Sequence, residues 1–399
     1  MKEVELKNYR KLYKDELDRC INFWLKYGVD RENGGVYTCV DQTGRRFSSD
    51  KSVWFQGRCG WIFAHLCNQY GTRPEWLEFS KSCIDFIDNH CIDTDGRMFF
   101  TVTADGRPIR KRRYFFSETF SIIAHAEYAK ASGDQKAMEH ARKYFDFVDS
   151  IYRDRSNDPF KITPKVYAET RPGRSLAEPM ILLNVSAVMR DCDPENAEYY
   201  NAKAKGYSED IFQYHHKPEQ GWLLETVGPN GEMLDDTTAG RVINPGHDIE
   251  CSWFLLSQAK ALGDEALAEK AAKIFWDALN KGWDKEYDGI LYFVDAYGFP
   301  PEQYEHDMKL WWVHNETLIA SLMFYQHTGD EKYLDVFRHF TEYAFRVFSD
   351  PENGDWYGYL RRDGKPTMPA CKGSIYKGPF HLPRMLMMID AMLEAETIS

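Results

Sequence analysis

One short turn recurs along the chain and restricts its fold more than any other feature. It is spelled QYGTRPEW around Gly71, ASGDQKAM around Gly133, DCDPENAE around Asp193, ALGDEALA around Gly263 and HTGDEKYL around Gly329, a spacing of roughly 60 to 70 residues. Gly ends one helix and Asp or Pro opens the next, as antiparallel helix hairpins require. A second element keeps phase with the first. ENGGVYTCVDQTGR, TDGRMFFTVTADGR, EQGWLLETVGPNGE, YDGILYFVDAYGFP and NGDWYGYLRRDGKP all run from Gly through aromatic and branched residues to a polar turn, which predicts short strand-turn segments between helix pairs. With a first helix near Asn8 to Lys26 and a last from about Phe380 to Glu394, the pattern predicts about twelve helices in six sequential pairs, the terminal two pairing to complete a ring.

Six such pairs bury their apolar faces either in an open solenoid or by closing into an α/α toroid, and closure with aromatic inserts at one rim makes a deep, ring-lined cleft. No Pro- or Ser-rich linker interrupts the pattern, so residues 1–399 read as one domain. The 11 Trp, 24 Tyr and 25 Phe mostly fill the core, and sugars also stack well on such rings. A formal net charge of -12 argues against nucleic acid or an anionic membrane as partner, since both need clustered Lys and Arg. The basic run RPIRKRR, Arg107 to Arg113, is short and reads as solvated loop charge. Nine cysteines without CxxC spacing and no secretory leader point to reduced thiols in a cytoplasmic protein. No stretch approaches the roughly 18 apolar residues of a membrane helix.

The segment GRVINPGHDIECSWFLL, Gly240 to Leu256, concentrates ionisable groups at a helix start. Asn244, Pro245 and Gly246 are turn and helix-start signals, and Trp253 to Leu256 form the body of a buried helix. His247 therefore falls in the first turn, where the helix dipole disfavours imidazolium, and is expected to be neutral. Glu250, one turn on, is expected to bond that imidazole or a ligand beside it. A helix cap with a solvated His and Glu explains the same spelling.

Together with SVWFQGRCGWIFAHL, RPGRSLAEPMILLNV, KLWWVHNETLIASLMFY and YKGPFHLPRMLMM, this segment closely resembles the N-acylglucosamine 2-epimerase family, in order and along nearly the whole chain. The resemblance implies an all-α (α/α)6 barrel with short antiparallel strands at one rim. It also implies interconversion of N-acetylglucosamine and N-acetylmannosamine at C2 through the open-chain sugar and an enediolate. The spelling GHDIE is similar to disaccharide epimerases as well, which keeps cellobiose, mannobiose or mannose open as substrates.

Inverting C2 needs a base on one face, an acid on the other and stabilisation of the enediolate oxygen. The resemblance places the proton-transfer roles on His247 and His381, and marks Glu250 and Glu316 as sugar-binding or orienting acids. Arg58, at the start of a cavity-facing helix, suits the developing negative charge. Trp311 is the best candidate sugar platform, with Trp54, Tyr114 and Trp312 behind it; Asn184, Lys377 and Arg384 are further contacts, and His314 is expected to support them from behind. Arg174, a loop residue at a helix start, is a candidate anion contact. The resemblance implies no required cofactor, ATP as an allosteric activator only, and a homodimer.

Three other readings remain open at this stage. Glu250 and Glu316 are the residue types of a glycoside hydrolase pair, which would leave the histidines without purpose. His247, Glu250, His314 and Glu316 are metal-binding types, although no close-spaced ligand motif such as HExxH supports a metal. The third is a binding or regulatory protein that turns nothing over.

Overall fold

The computed structural model describes residues 1, 3–161 and 166–398. These form α1 (Glu3–Tyr27), α2 (Val53–Tyr70), α3 (Pro74–Phe86), α4 (Phe116–Ser132), α5 (Gln135–Arg153), α6 (Ala177–Cys192) and α7 (Ala197–Asp210). After the single-turn α8 (Thr238–Arg241) come α9 (Pro245–Leu262), α10 (Glu265–Gly282), α11 (Trp311–Thr328), α12 (Glu331–Val347) and α13 (His381–Ile398). The recurring turns join the pairs α2–α3, α4–α5, α6–α7, α9–α10 and α11–α12, and α1 packs on α13. Helices α2, α4, α6, α9, α11 and α13 each touch the next, and α13 returns to α2. The result is an (α/α)6 barrel with six inner and six outer helices.

Sequence pattern explains which helix lies where. Every residue of α11 from Trp311 to Leu322 is buried, because an inner helix meets protein on both sides. The outer α5 buries Ala137, Met138, Ala141, Tyr144, Phe145 and Val148 at helical spacing and exposes Lys136, Glu139, Lys143 and Asp146. The turns work as their spelling predicts. Gly133, Gly263 and Gly329 end helices in the left-handed conformation, and Asp134, Asp264 and Asp330 cap the next helix by accepting its first free amides. The turn at Asp193 has no Gly; Pro194 opens a 3-10 turn there instead.

The strands gather where the inner helices begin. Lys51–Ser52, Arg174–Ser175, Val242–Ile243 and Lys309–Leu310 lead into α2, α6, α9 and α11. Each pairs antiparallel with a strand of the following repeat, at Phe99–Val102, Thr226–Val227, Val294–Asp295 and Tyr359–Leu360. An Asp41–Cys371 bridge closes the rim before α13. Besides that bridge, the first predicted strand segment makes only the isolated bridges Val29–Val36 and Val40–Arg46. Part of the basic run is ordered rather than loop: Pro108–Lys111 is the outer strand of a three-stranded sheet, and Lys111 bonds Asp93 and Asp95. Beneath the rim, buried lysines tie repeats together through Lys51–Asp30, Lys309–Asp284 and Lys372–Asp350. No helix of the described residues is long and apolar enough to cross a membrane.

Candidate active site

Because the inner helices all start at one rim, their first two turns converge on a single cavity of about 690 Å³. Arg58 comes from α2, Asn184 from α6, His247 and Glu250 from α9, Trp311 from α11, and His381 and Arg384 from α13. The wall formed by α2, α4 and α6 is mostly apolar, with Trp54, Phe116, Phe120, Ala177, Met180 and Ile181. Apart from Arg58 on α2, the ionisable groups face it.

The Asn-Pro-Gly spelling before His247 has a separate task for each residue. Asn244 accepts hydrogen bonds from the amides of Gly246 and His247, and Pro245 supplies the first helical turn. A Cβ on Gly246 would lie 2.6 Å from Trp312, so only glycine lets that indole close against α9. The Trp312 ring then lies between the two histidines, its centroid 5.3 Å from His247 and 5.7 Å from His381.

Each histidine gives its Nδ1–H to a carboxylate, but the two carboxylates differ in what else they hold. His381 donates to Glu316 Oε1 at 2.8 Å. The same Glu316 accepts from Arg384 Nη2 at 2.6 Å and from Trp253 Nε1 at 2.9 Å, so its charge is already neutralised. Burial, then the Arg384 and Arg58 guanidiniums, hold the His381 imidazole well below its ordinary pKa. His247 donates to Glu225 Oε1 at 2.7 Å. Burial pushes His247 down as well, but Glu225, with Glu250 and Glu316 behind it, outweighs burial and the net shift is upward. Nδ1–H donation leaves Nε2 of each ring as the atom able to exchange a proton.

Two expectations are corrected here. The His247 pKa is shifted up rather than down, because a full carboxylate charge at hydrogen-bond distance exceeds the dipole's partial charge. Glu250 does not orient His247; it accepts from Arg384 at 2.8 Å. Glu316 stands behind His381 rather than in the cavity wall, and burial raises its pKa despite Arg384.

Arg58 lies in the second turn of α2 rather than at its first residue. It makes no hydrogen bond to another described residue, and its guanidinium lies 4.1 Å from the Phe120 ring centroid and 4.7 Å from that of Phe380. Burial lowers its pKa to about 9, which leaves it charged at neutral pH and unsatisfied until a ligand oxygen arrives. His314 donates Nδ1–H to Leu310 O at 2.7 Å and accepts from Ile290 N at 3.0 Å; burial brings its pKa to about 3. It is a neutral structural link between α11 and the preceding rim loop.

Three further candidates fall outside the cavity wall. Tyr114 stacks on Phe116 with centroids 5.6 Å apart, and its carbonyl accepts from Arg97. Lys377 is buried and committed to Asp355 at 2.9 Å and Lys372 O at 2.6 Å, satisfying an ammonium that has left water. Arg174 is in a strand, not a loop; its Nε donates to Pro229 O at 2.6 Å and its guanidinium covers Tyr214 at 4.0 Å.

Two groups of potential metal ligands occur among the described residues. Glu250, Glu316 and His381 converge, but Arg384 Nη2 already fills the point between them, 2.8 and 2.6 Å from the carboxylates and 3.4 Å from His381 Nδ1. Asp88, His125 and His140 form the other group. Those two imidazoles are stacked 3.7 Å apart at 6°, so their in-plane lone pairs cannot meet at one ion as metal ligation requires.

The family sequence model for N-acylglucosamine 2-epimerase (GlcNAc 2-epimerase) matches residues 35–378. The chain is 38% identical over 383 residues to N-acylglucosamine 2-epimerase of Bos taurus, covering 95% of this chain and 89% of that one. The chain belongs to the N-acylglucosamine 2-epimerase family. The human N-acylglucosamine 2-epimerase is 35% identical over 385 residues, with coverage of 95% and 89%. Among solved structures, a cellobiose 2-epimerase from Spirochaeta thermophila superimposes with a TM-score of 0.85 at 20% identity, covering 99% of both chains, a likeness of fold.

In this family member the site residue least visible from sequence is Glu225. It lies 22 residues before His247, in the strand-turn segment GWLLETVGPNGE. One signal was available: aligned on their closing turns, the other four segments place Thr38, Phe100, Tyr292 and Gly358 at that position. A lone carboxylate at a position where the other segments carry uncharged residues marks a special task. Trp253, read as helix core, also serves the site by bonding Glu316.

Proposed function

We propose that the protein is a sugar 2-epimerase that interconverts N-acetylglucosamine and N-acetylmannosamine in the open-chain form, with His247 and His381 as the two proton-transfer groups. The observation that carries this reading is a pair of histidines lining one cavity, each oriented through Nδ1 by a carboxylate, with surroundings of opposite electrostatic sign. Environments that push two titratable groups apart assign one as base and the other as acid. In the resting enzyme His381 is the neutral base and His247 the imidazolium acid. His381 Nε2 takes the C2 proton, the electron pair passes into the enediolate, and His247 Nε2 delivers a proton to the opposite face. Arg58 is the unpaired cation available to the enediolate oxygen. The apolar wall of Trp54, Phe116 and Phe120 suits the sugar face and the acyl methyl, with Trp311 a platform on the other side. Asn184 is a hydroxyl contact, and Arg384 and Glu250 fix the acid-base frame.

No bound cofactor enters this chemistry. ATP is an allosteric ligand in this reading, with the N–H groups of Arg174 not given to Pro229 as its contact, and the working form is a cytoplasmic homodimer. Eight buried, unpaired cysteines and a ninth that is half-buried suit a reducing compartment. Glycoside hydrolysis is disfavoured because the Arg384 guanidinium occupies the space between Glu250 and Glu316 where a glycosidic oxygen would sit. The test is proton NMR of the enzyme with N-acetylmannosamine, N-acetylglucosamine, mannose and cellobiose supplied separately. Interconversion of the two acylhexosamines supports the proposal; turnover of mannose or cellobiose alone would reassign the substrate, and no turnover with any sugar would favour a binding role.

A further inference from the structure

We infer that Glu225 is a positioning residue that sets the protonation state of the acid-base pair, making His247 the resting acid through the Nδ1–H bond between them. The inference rests on the epimerase reading for its consequence in catalysis and on geometry for its substance.

The backbone clamps Glu225 from two sides. Its amide donates to Val242 O at 3.3 Å, on the strand that leads into α9, and its carbonyl accepts from Leu176 N at 3.0 Å, at the start of α6. The strand that follows, Thr226–Val227, pairs with Arg174–Ser175. The carboxylate is therefore presented to His247 by rigid rim structure, at 2.7 Å, with no cation of the described residues sharing it. Glu316 differs in this respect, since Arg384 and Trp253 compete for it. Two histidines with the same kind of partner thus receive different charge from it.

The place of Glu225 is not taken by the other ionisable groups around His247. Glu250 and Glu316 face it and reinforce the effect, but both are committed to Arg384. Asp248, the next residue in α9, is buried; burial first, then Glu225 and Asp277, push its carboxyl well above its ordinary pKa, away from the charged form. Across Trp312 stands His381, itself kept neutral by burial and by Arg384 and Arg58. Glu225 is the one uncommitted anion in contact with the His247 ring.

The proton balance is simple. During turnover His247 gives its Nε2 proton to C2 and becomes neutral, with Nδ1–H still bonded to Glu225. His381 carries the proton taken from the substrate. Solvent exchange then returns the pair to its resting state, which Glu225 favours because imidazolium beside a free carboxylate is more stable than imidazolium beside two guanidiniums.

The test is Glu225→Gln, which keeps the hydrogen bond and removes the charge. The alkaline limb of kcat/KM, set by loss of the His247 proton, should move down by about one pH unit or more, so that activity above the limb falls about tenfold or more. The acid limb, set by His381, should stay in place. Glu225→Asp should restore part of the shift. A purely structural role would lower the whole profile without moving one limb. Imidazole NMR of His247, recorded without sugar, should show the same downward titration shift. Equal His247 titration in wild type and Glu225→Gln would overturn the inference whether or not any sugar is turned over. If Glu225→Gln does not fold, the same readouts on Glu225→Asp decide the matter, an unmoved His247 titration again overturning it. Absence of turnover in wild type with the His247 shift intact would remove the epimerase reading and leave the role of Glu225 standing.

Discussion

Replacing Arg384 with Met tests the electrostatic frame at its centre. In the wild type one nitrogen, Nη2, donates to Glu250 at 2.8 Å and Glu316 at 2.6 Å, all three groups being buried. Removing one partner from a buried charge cluster strands the others and costs about 3–5 kcal/mol. Glu250 loses its one side-chain partner among the described residues, whereas Glu316 keeps Trp253 and His381. With Arg384 gone, the chief positive neighbour that keeps His381 neutral is lost, and the imidazole can take a proton and pair with Glu316. The sign follows from this. A histidine whose folded pKa is depressed costs stability as pH falls; raising that pKa removes the cost. The deficit of Arg384→Met should therefore be largest at pH 8 and shrink toward pH 6, while the acid limb of kcat/KM moves to higher pH. Urea unfolding at both pH values and a pH–rate profile provide the assay. A loss below about 1 kcal/mol at pH 8, the range of a surface ion pair, would refute the reasoning. So would a deficit that does not change with pH, or an acid limb that stays in place.

Gly57→Ala should destabilise the barrel by about 1–3 kcal/mol through overpacking, because its Cβ would lie 2.5 Å from the Phe120 backbone; activity should fall with it, since Arg58 rests on the same ring. Wild-type stability in urea unfolding would contradict this. Asp330→Ala removes the α12 cap, which accepts from the amide of Lys332, and should cost about 1 kcal/mol with unchanged kcat/KM, because that turn is at the end of α11 opposite the cavity. A kinetic defect would show that the two ends of the barrel are coupled.

The ring of helix pairs was legible because it is local. Gly133, Asp134, Gly263, Asp264, Gly329 and Asp330 spell their own turns, and period separates a helix buried on both sides from one buried on one. His247, Glu250, Glu316, His381, Arg58 and Arg384 were legible through spellings that resemble a family, and the fold brings them together from α2, α9, α11 and α13. What stayed hidden depends on partners far apart in sequence. Lys377 reads as a further sugar contact, yet a buried ammonium needs an anion and Asp355 supplies it. Glu250 is one helical turn from His247, where the spacing predicts a bond to that imidazole or to a ligand beside it, whereas Arg384, 134 residues away, takes that carboxylate. Glu225 escaped for the same reason, and with it the sign of the His247 shift. A helix dipole can be read from one helix; a carboxylate delivered by a neighbouring rim segment cannot.

The central claim is two-sided proton transfer at C2 by His247 and His381. It is tested most directly by running the epimerisation of N-acetylmannosamine and N-acetylglucosamine in D2O with wild type, His247→Asn and His381→Asn, following deuterium at C2 by NMR. Wild type should place solvent deuterium at C2 of every product molecule. Each variant should lose interconversion by a factor of at least about 100, while the surviving base exchanges C2-H in one epimer only, the opposite epimer in the two variants. Product without deuterium at C2, or variants that interconvert the sugars at near wild-type rates, would contradict the account.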